Sequence, residues 1–98
     1  MAISYDYYRI FYYVAKYKNF TQAANALMNN QPNISRSISN LEHELGCRLF
    51  VRSNRGVTLT PEGEKLYTRV AVAHRQLQAA GAELAKERSL QRGMISVG

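Results

Sequence analysis

Residues 20–46 read FTQAANALMNNQPNISRSISNLEHELG, and the fold turns on how this stretch divides. Asn29 and Asn30 interrupt an alanine-rich segment, and apolar residues resume helical spacing beyond Gln31, so two helices flank a tight turn. Thr21 is expected to cap a short helix over Gln22 to Met28. Ala23, Ala24 and Ala26 keep that helix thin enough for a neighbour to approach closely, and Leu27 supplies its larger core contact. Asn30 is expected to cap the next helix, Gln31 to Glu44. Its first turn accepts Pro32, because the missing N–H has no helical partner to lose there. Gly46 is the stop signal. Ile34, Ile38, Leu41 and Leu45 follow spacings of four, three and four, which gathers them on one inward stripe. The opposite face holds Pro32, Arg36, Ser39, Asn40 and His43, flanked by Asn33 and Ser35, with no acidic or large apolar side chain.

Upstream, Tyr7, Ile10, Phe11, Val14 and Tyr17 recur at helical spacing, predicting a first helix over Ser4 to Lys18. Five of the seven tyrosines lie between positions 5 and 13; helical spacing assigns them to the core and its polar edge rather than to base stacking. Downstream, Leu49 to Arg52 and Val57 to Thr60 are β-prone runs around Ser53-Asn54-Arg55-Gly56, a hairpin pattern. Thr60-Pro61-Glu62 then supplies an N-cap, a first-position proline and a first-turn acid for a long helix to about Arg88. Along it Leu66, Val70, Ala73, Leu77, Ala80 and Leu84 alternate spacings of four and three, a heptad seam that suits a partner helix ahead of packing back on its own domain. The expected fold is mainly α: a winged helix-turn-helix of three helices and a β-hairpin wing, followed by a long dimerisation linker helix. Residues 3–60 form the winged domain, with the helix-turn-helix at about 20–39. Residues 61–88 form the linker.

Thirteen Lys and Arg against seven Asp and Glu give a net charge of +6, so a polyanion or an anionic membrane is the natural partner. Membrane binding is disfavoured because Glu62, Glu64, Glu83 and Glu87 interrupt the basic residues of the long helix, and no apolar run spans a bilayer. After Asp6 no acid appears until Glu42, while Arg9, Lys16, Lys18 and Arg36 fall between; a second acid-free stretch carries Arg48, Arg52 and Arg55. The single cysteine, Cys47, excludes an intrachain disulfide and reads as a half-buried structural thiol. No secretory leader is recognisable, and the expected location is the cytoplasm. His43 and His74 sit on different helices, and no nucleophile, phosphate loop or metal spacing accompanies them, so neither catalysis nor a cofactor or metal is expected.

These residue types suit base edges. Arg bridges guanine O6 and N7 with two donors, Asn or Gln pairs similarly with adenine, and each good contact discriminates by ~1–3 kcal/mol. Arg36 is the foremost candidate. Pro32 either meets a thymine methyl or only shapes the turn. Thr21 either offers its hydroxyl to a phosphate or only caps its helix. Arg52 and Arg55 either grip phosphates or a narrow minor groove, or only keep the wing soluble.

Taken together, Phe20-Thr21-Gln22-Ala23-Ala24, Gln31-Pro32-Asn33-Ile34-Ser35-Arg36, Leu41-Glu42-His43-Glu44-Leu45-Gly46, Leu49-Phe50-Val51-Arg52 and Leu59-Thr60-Pro61-Glu62-Gly63 resemble the N-terminal DNA-binding domain of LysR-type transcriptional regulators. The resemblance covers about positions 3 to 92. It implies sequence-specific binding of double-stranded DNA by a homodimeric bacterial regulator that is a tetramer at full length. A small-molecule effector would bind through a C-terminal domain absent here, and residues 89–98 would be the hinge and first strand leading into it. Carried over residue by residue, the DNA contacts would be Thr21, Gln31, Pro32, Asn33, Ser35, Arg36 and Asn40, with Arg52 and Arg55 in the wing. The dimer interface would be the Leu66 to Leu84 seam. Asn29 departs from a commonly apolar position and is expected to loosen the turn; Asn33 replaces a frequent alanine or proline and Ser37 a glutamine or arginine. The alternatives are the winged domain of a molybdate-type regulator, or a protein-interaction module that uses the heptad helix.

Overall fold

The structure, a computed structural model, describes the backbone of residues 4–97 and the side chains of residues 4–88. α1 (Tyr5–Tyr17) begins at Ser4, whose Oγ accepts from the Asp6 N–H at 3.2 Å. α2 (Phe20–Ala26) starts earlier than expected. Its cap is Asn19, whose Oδ1 accepts from the Gln22 N–H at 2.9 Å, so Thr21 is not the cap but lies within the first turn. Both residue types cap well; the earlier start prevails because it puts Phe20, Ala23 and Ala24 on one buried stripe. The helix also stops short of Met28, which takes the left-handed conformation at φ 54°. The Asn29 N–H reaches back to the Ala24 carbonyl and the Met28 N–H to that of Asn25, the paired bonds that end a helix when the following residue turns left-handed.

α3 (Gln31–Leu45) is capped by Asn30, which accepts from the Asn33 N–H at 2.9 Å, carries Pro32 in its first turn, and stops at Gly46 with φ 73°. β1 (Phe50–Ser53) and β2 (Gly56–Leu59) pair antiparallel with Phe50 opposite Leu59 and Ser53 opposite Gly56. Only Asn54 and Arg55 remain for the turn, closed by Gly56 at φ 121°, a backbone conformation that favours glycine. Thr60 Oγ1 accepts from the Gly63 N–H at 3.0 Å and donates to the Arg48 carbonyl, so it caps α4 (Pro61–Val97) and ties the helix to the chain before β1.

The core joins Phe11, Val14 and Ala15 of α1, Phe20, Ala23 and Ala24 of α2 and Ile34, Ile38 and Leu41 of α3 to Leu49, Phe50 and Val57 around the hairpin. The ring of Phe50 lies 5.3 Å from that of Phe11 and 6.2 Å from that of Phe20, so the wing is anchored by aromatic contacts to two helices. Gly63 fits against the backbone before the wing so closely that a Cβ there would run into the Leu49 carbonyl oxygen. This contact fixes where α4 leaves the domain.

α4 leans on α1 only at first. Leu66, Tyr67 and Val70 pack partly buried against the core, and the Tyr12 ring stacks on Tyr67 and, at 4.3 Å, on His74. From Arg75 to Arg88 every side chain is exposed. The helix continues past Arg88 to Val97, where a hinge and a strand were expected. A strand needs a neighbour for its backbone groups, whereas a helix satisfies them internally; the hairpin is the one sheet among the described residues. Gly98 lies outside the described residues.

Candidate nucleic-acid interface

The inward stripe of α3 is buried as its spacing requires: Ile34, Ile38 and Leu41 are closed to solvent and Leu45 is partly buried. That fixes the rotation of the helix. Gln31, Pro32, Asn33, Arg36, Ser39, Asn40 and His43 are consequently exposed, and Ser35 is half-buried at the edge. Arg36 forms no ion pair or hydrogen bond among the described residues, which leaves its five donors available to an external acceptor. Asn40 instead directs its amide towards α1, with Nδ2 3.5 Å from the Tyr7 hydroxyl. Thr21 is exposed, and with Asn19 acting as cap its hydroxyl is released from that duty.

The wing arginines divide. Arg55 stands exposed in the two-residue turn, whereas Arg52 folds back onto the helices. Its Nη2 donates to Ser35 Oγ at 2.8 Å, and its guanidinium lies 4.2 Å from the centre of the Phe20 ring. One side chain thereby joins β1, α2 and α3, and two candidate contact residues, Ser35 and Arg52, are already in register. Cation–π contacts at exposed sites contribute about 0.5–1 kcal/mol, enough to bias a rotamer without freezing it.

Of the two acids of α3, Glu44 is exposed and Glu42 is held away from this face. Glu42, with its side chain only 15% exposed, accepts from the Leu49 and Phe50 N–H groups at 2.7 and 3.2 Å and lies 3.7 Å from Arg48 Nε. It neutralises two backbone donors that the hairpin leaves open. The helical spacing keeps Glu42 off the outer face of α3 but gives no sign of this role, since its partners lie seven and eight residues on across a turn. Asn29 was missed too. Rather than loosening the turn, its Oδ1 accepts from the Asn30 N–H at 2.8 Å and from Asn33 Nδ2 at 3.1 Å. Three asparagines at positions 29, 30 and 33 are the local signal that could have revealed it.

Of the proposed dimer seam, Leu66 and Val70 find cover within their own chain, while Ala73, Leu77, Ala80 and Leu84 are exposed, Leu77 and Leu84 by 54% and 61%. Cys47 is a half-buried free thiol. No described helix is long and apolar enough to cross a membrane.

Comparison with known proteins agrees with this architecture. The family model for bacterial regulatory helix-turn-helix proteins of the lysR family matches residues 5–64. The chain is 42% identical over 95 residues to the HTH-type transcriptional regulator BudR of Klebsiella aerogenes, covering 94% of this chain and 64% of that protein. It is 40% identical over 93 residues to the HTH-type transcriptional regulator BbuR of Bordetella bronchiseptica, covering 95% of this chain and 29% of that protein. The chain thus spans less than two thirds of these relatives, which are named as regulators of transcription and not as enzymes. Among solved structures, the BenM DBD in complex with catB site 1 DNA superposes with a TM-score of 0.78 at 33% identity, covering 86% of this chain and 94% of that one. With the family model matched from α1 through the start of α4, the chain belongs to the lysR family of bacterial regulatory helix-turn-helix proteins.

Proposed function

We propose that this chain is the DNA-binding part of a cytoplasmic transcriptional regulator, which places α3 in the major groove of double-stranded DNA and reads its sequence. The observation that carries the reading is the exposed, acid-free face of α3, with Arg36 unpaired among the described residues beside Gln31, Pro32 and Asn33 and Ser35 at its edge. Arg36 suits guanine, and the amides suit adenine. Thr21 and Arg55 would hold phosphates or the minor groove, Arg52 would contact DNA while keeping Ser35 in place, and Asn40 would use the N–H and Oδ1 that its bond to Tyr7 leaves open. The BenM complex with DNA supports this use of the fold.

Two chains would pair through Ala73, Leu77, Ala80 and Leu84, presenting their α3 helices about one helical turn, ~34 Å, apart on a partly palindromic site. Leu66 and Val70 would serve the domain first and the dimer only at their exposed edges. The winged domain would occupy residues 3–60 and the linker 61–88. A small-molecule effector would act through a further C-terminal domain of a tetrameric full-length protein.

Fluorescence anisotropy with a panel of labelled promoter duplexes tests the reading. One duplex should bind well above the non-specific level, with log K falling by about 0.9 per phosphate contact against log salt. Arg36→Ala should weaken that duplex and leave the others unaffected. Equal, salt-insensitive binding to all duplexes, unchanged by Arg36→Ala, would contradict it and favour a protein-interaction module.

A further inference from the structure

The turn between α2 and α3 and the first turn of α3 together carry three asparagines linked by hydrogen bonds. Asn29 Oδ1 accepts from the Asn30 backbone N–H at 2.8 Å and from Asn33 Nδ2 at 3.1 Å, while Asn30 Oδ1 accepts from the Asn33 backbone N–H at 2.9 Å. A backbone N–H can only donate, so the Asn29 atom facing it is the oxygen. The Asn33 atom facing that same oxygen must be a donor, its amino nitrogen. The network therefore gives the exposed amide of Asn33 a single orientation. One of its N–H groups is taken by Asn29; the other N–H and Oδ1 remain for an external partner.

We propose that Asn33, oriented by Asn29, is a specificity-determining residue that reads adenine and rejects guanine. This rests on the reading of α3 as the helix in the major groove. Adenine presents its N6 donor beside its N7 acceptor, which complements one acceptor and one donor on the same amide edge. Guanine presents two acceptors, O6 and N7, and the fixed Oδ1 would face one of them. Turning the amino group to serve both would give up its bond to Asn29. The residue in contact with the base is Asn33; Asn29 is a positioning residue that never needs to touch DNA.

Selection of binding sites from randomised duplexes, using the chain and three variants, tests this. The unaltered chain should select adenine over guanine at one position per half-site by roughly fivefold to a hundredfold. Asn33→Ala should lose that preference and keep those at other positions. Asn29→Val should admit guanine at the same position. Asn29→Asp, whose carboxylate still accepts from both donors, should keep adenine while lowering affinity for every duplex. Circular dichroism checks that each variant is folded, and if Asn29→Val is not, Asn33→Ala and Asn29→Asp still decide. The proposal is overturned if a defined site is selected yet Asn33→Ala changes no position, if the responsive position prefers another base, or if folded Asn29→Val still excludes guanine. Failure of the unaltered chain to select any site overturns the DNA-reading role itself and is distinguished by that.

Discussion

α4 is one helix with two fates. Up to His74 it packs on the winged domain, with Leu66, Tyr67 and Val70 partly buried and Tyr12 stacked on Tyr67 and His74. Beyond it, Leu77 and Leu84 continue the same four-and-three spacing with nothing among the described residues to cover them. The lesson is that a heptad seam specifies a face but not its occupant. The occupant changes where α1 ends its contact, and only the tertiary arrangement reveals that point.

Breaking the domain half should produce the largest effects. Phe11 is fully buried against Phe50, so Phe11→Ala should cost about 3–5 kcal/mol and lower the thermal midpoint measured by circular dichroism. An unchanged midpoint would mean that the wing is not anchored to α1 as described. Gly63→Ala comes next, at ~1–3 kcal/mol or more, because its Cβ would meet the Leu49 backbone rather than a flexible side chain. Leu77→Glu tests the other half. It should leave unfolding within about 0.5 kcal/mol per chain once dissociation is accounted for, yet convert a dimer to a monomer in sedimentation and weaken DNA binding. A dimer that survives Leu77→Glu would locate the pairing elsewhere. Smallest is Met28→Gly, a gain of up to ~1 kcal/mol, since Met28 is 95% exposed and pays for a left-handed φ with no compensating contact. A loss of stability there would reveal a role for its side chain.

Much of the fold was legible because its boundaries are set by local chemistry. Asn30-Gln31-Pro32, Gly46 and Thr60-Pro61 each act within a few residues of themselves, and the structure uses all three where the sequence places them. The start of α2 was misread because Asn19 and Thr21 are both competent caps, and burial of Phe20 decides between them. The expected hinge and strand after Arg88 are not seen: the helix runs on to Val97, where a strand would find no partner among the described residues. In the candidate site, the exposed face of α3 followed from periodicity alone. The ties that organise it did not: Arg52 meets Phe20 and Ser35 across 32 and 17 residues of chain, and Glu42 reaches the start of β1 across a turn. Spacing within one element carries no trace of such partners.

The central claim is that the outer face of α3 is the surface that meets DNA. Two-dimensional 15N–1H NMR of the chain, titrated with a duplex obtained by site selection, tests it most directly. The largest shifts should fall on Gln31 to Asn40, with smaller ones at Thr21, Arg52 and Arg55 and none at Leu77 to Leu84 beyond those of dimerisation. Shifts concentrated on α1 or along α4, with Gln31 to Asn40 unmoved, would contradict the account.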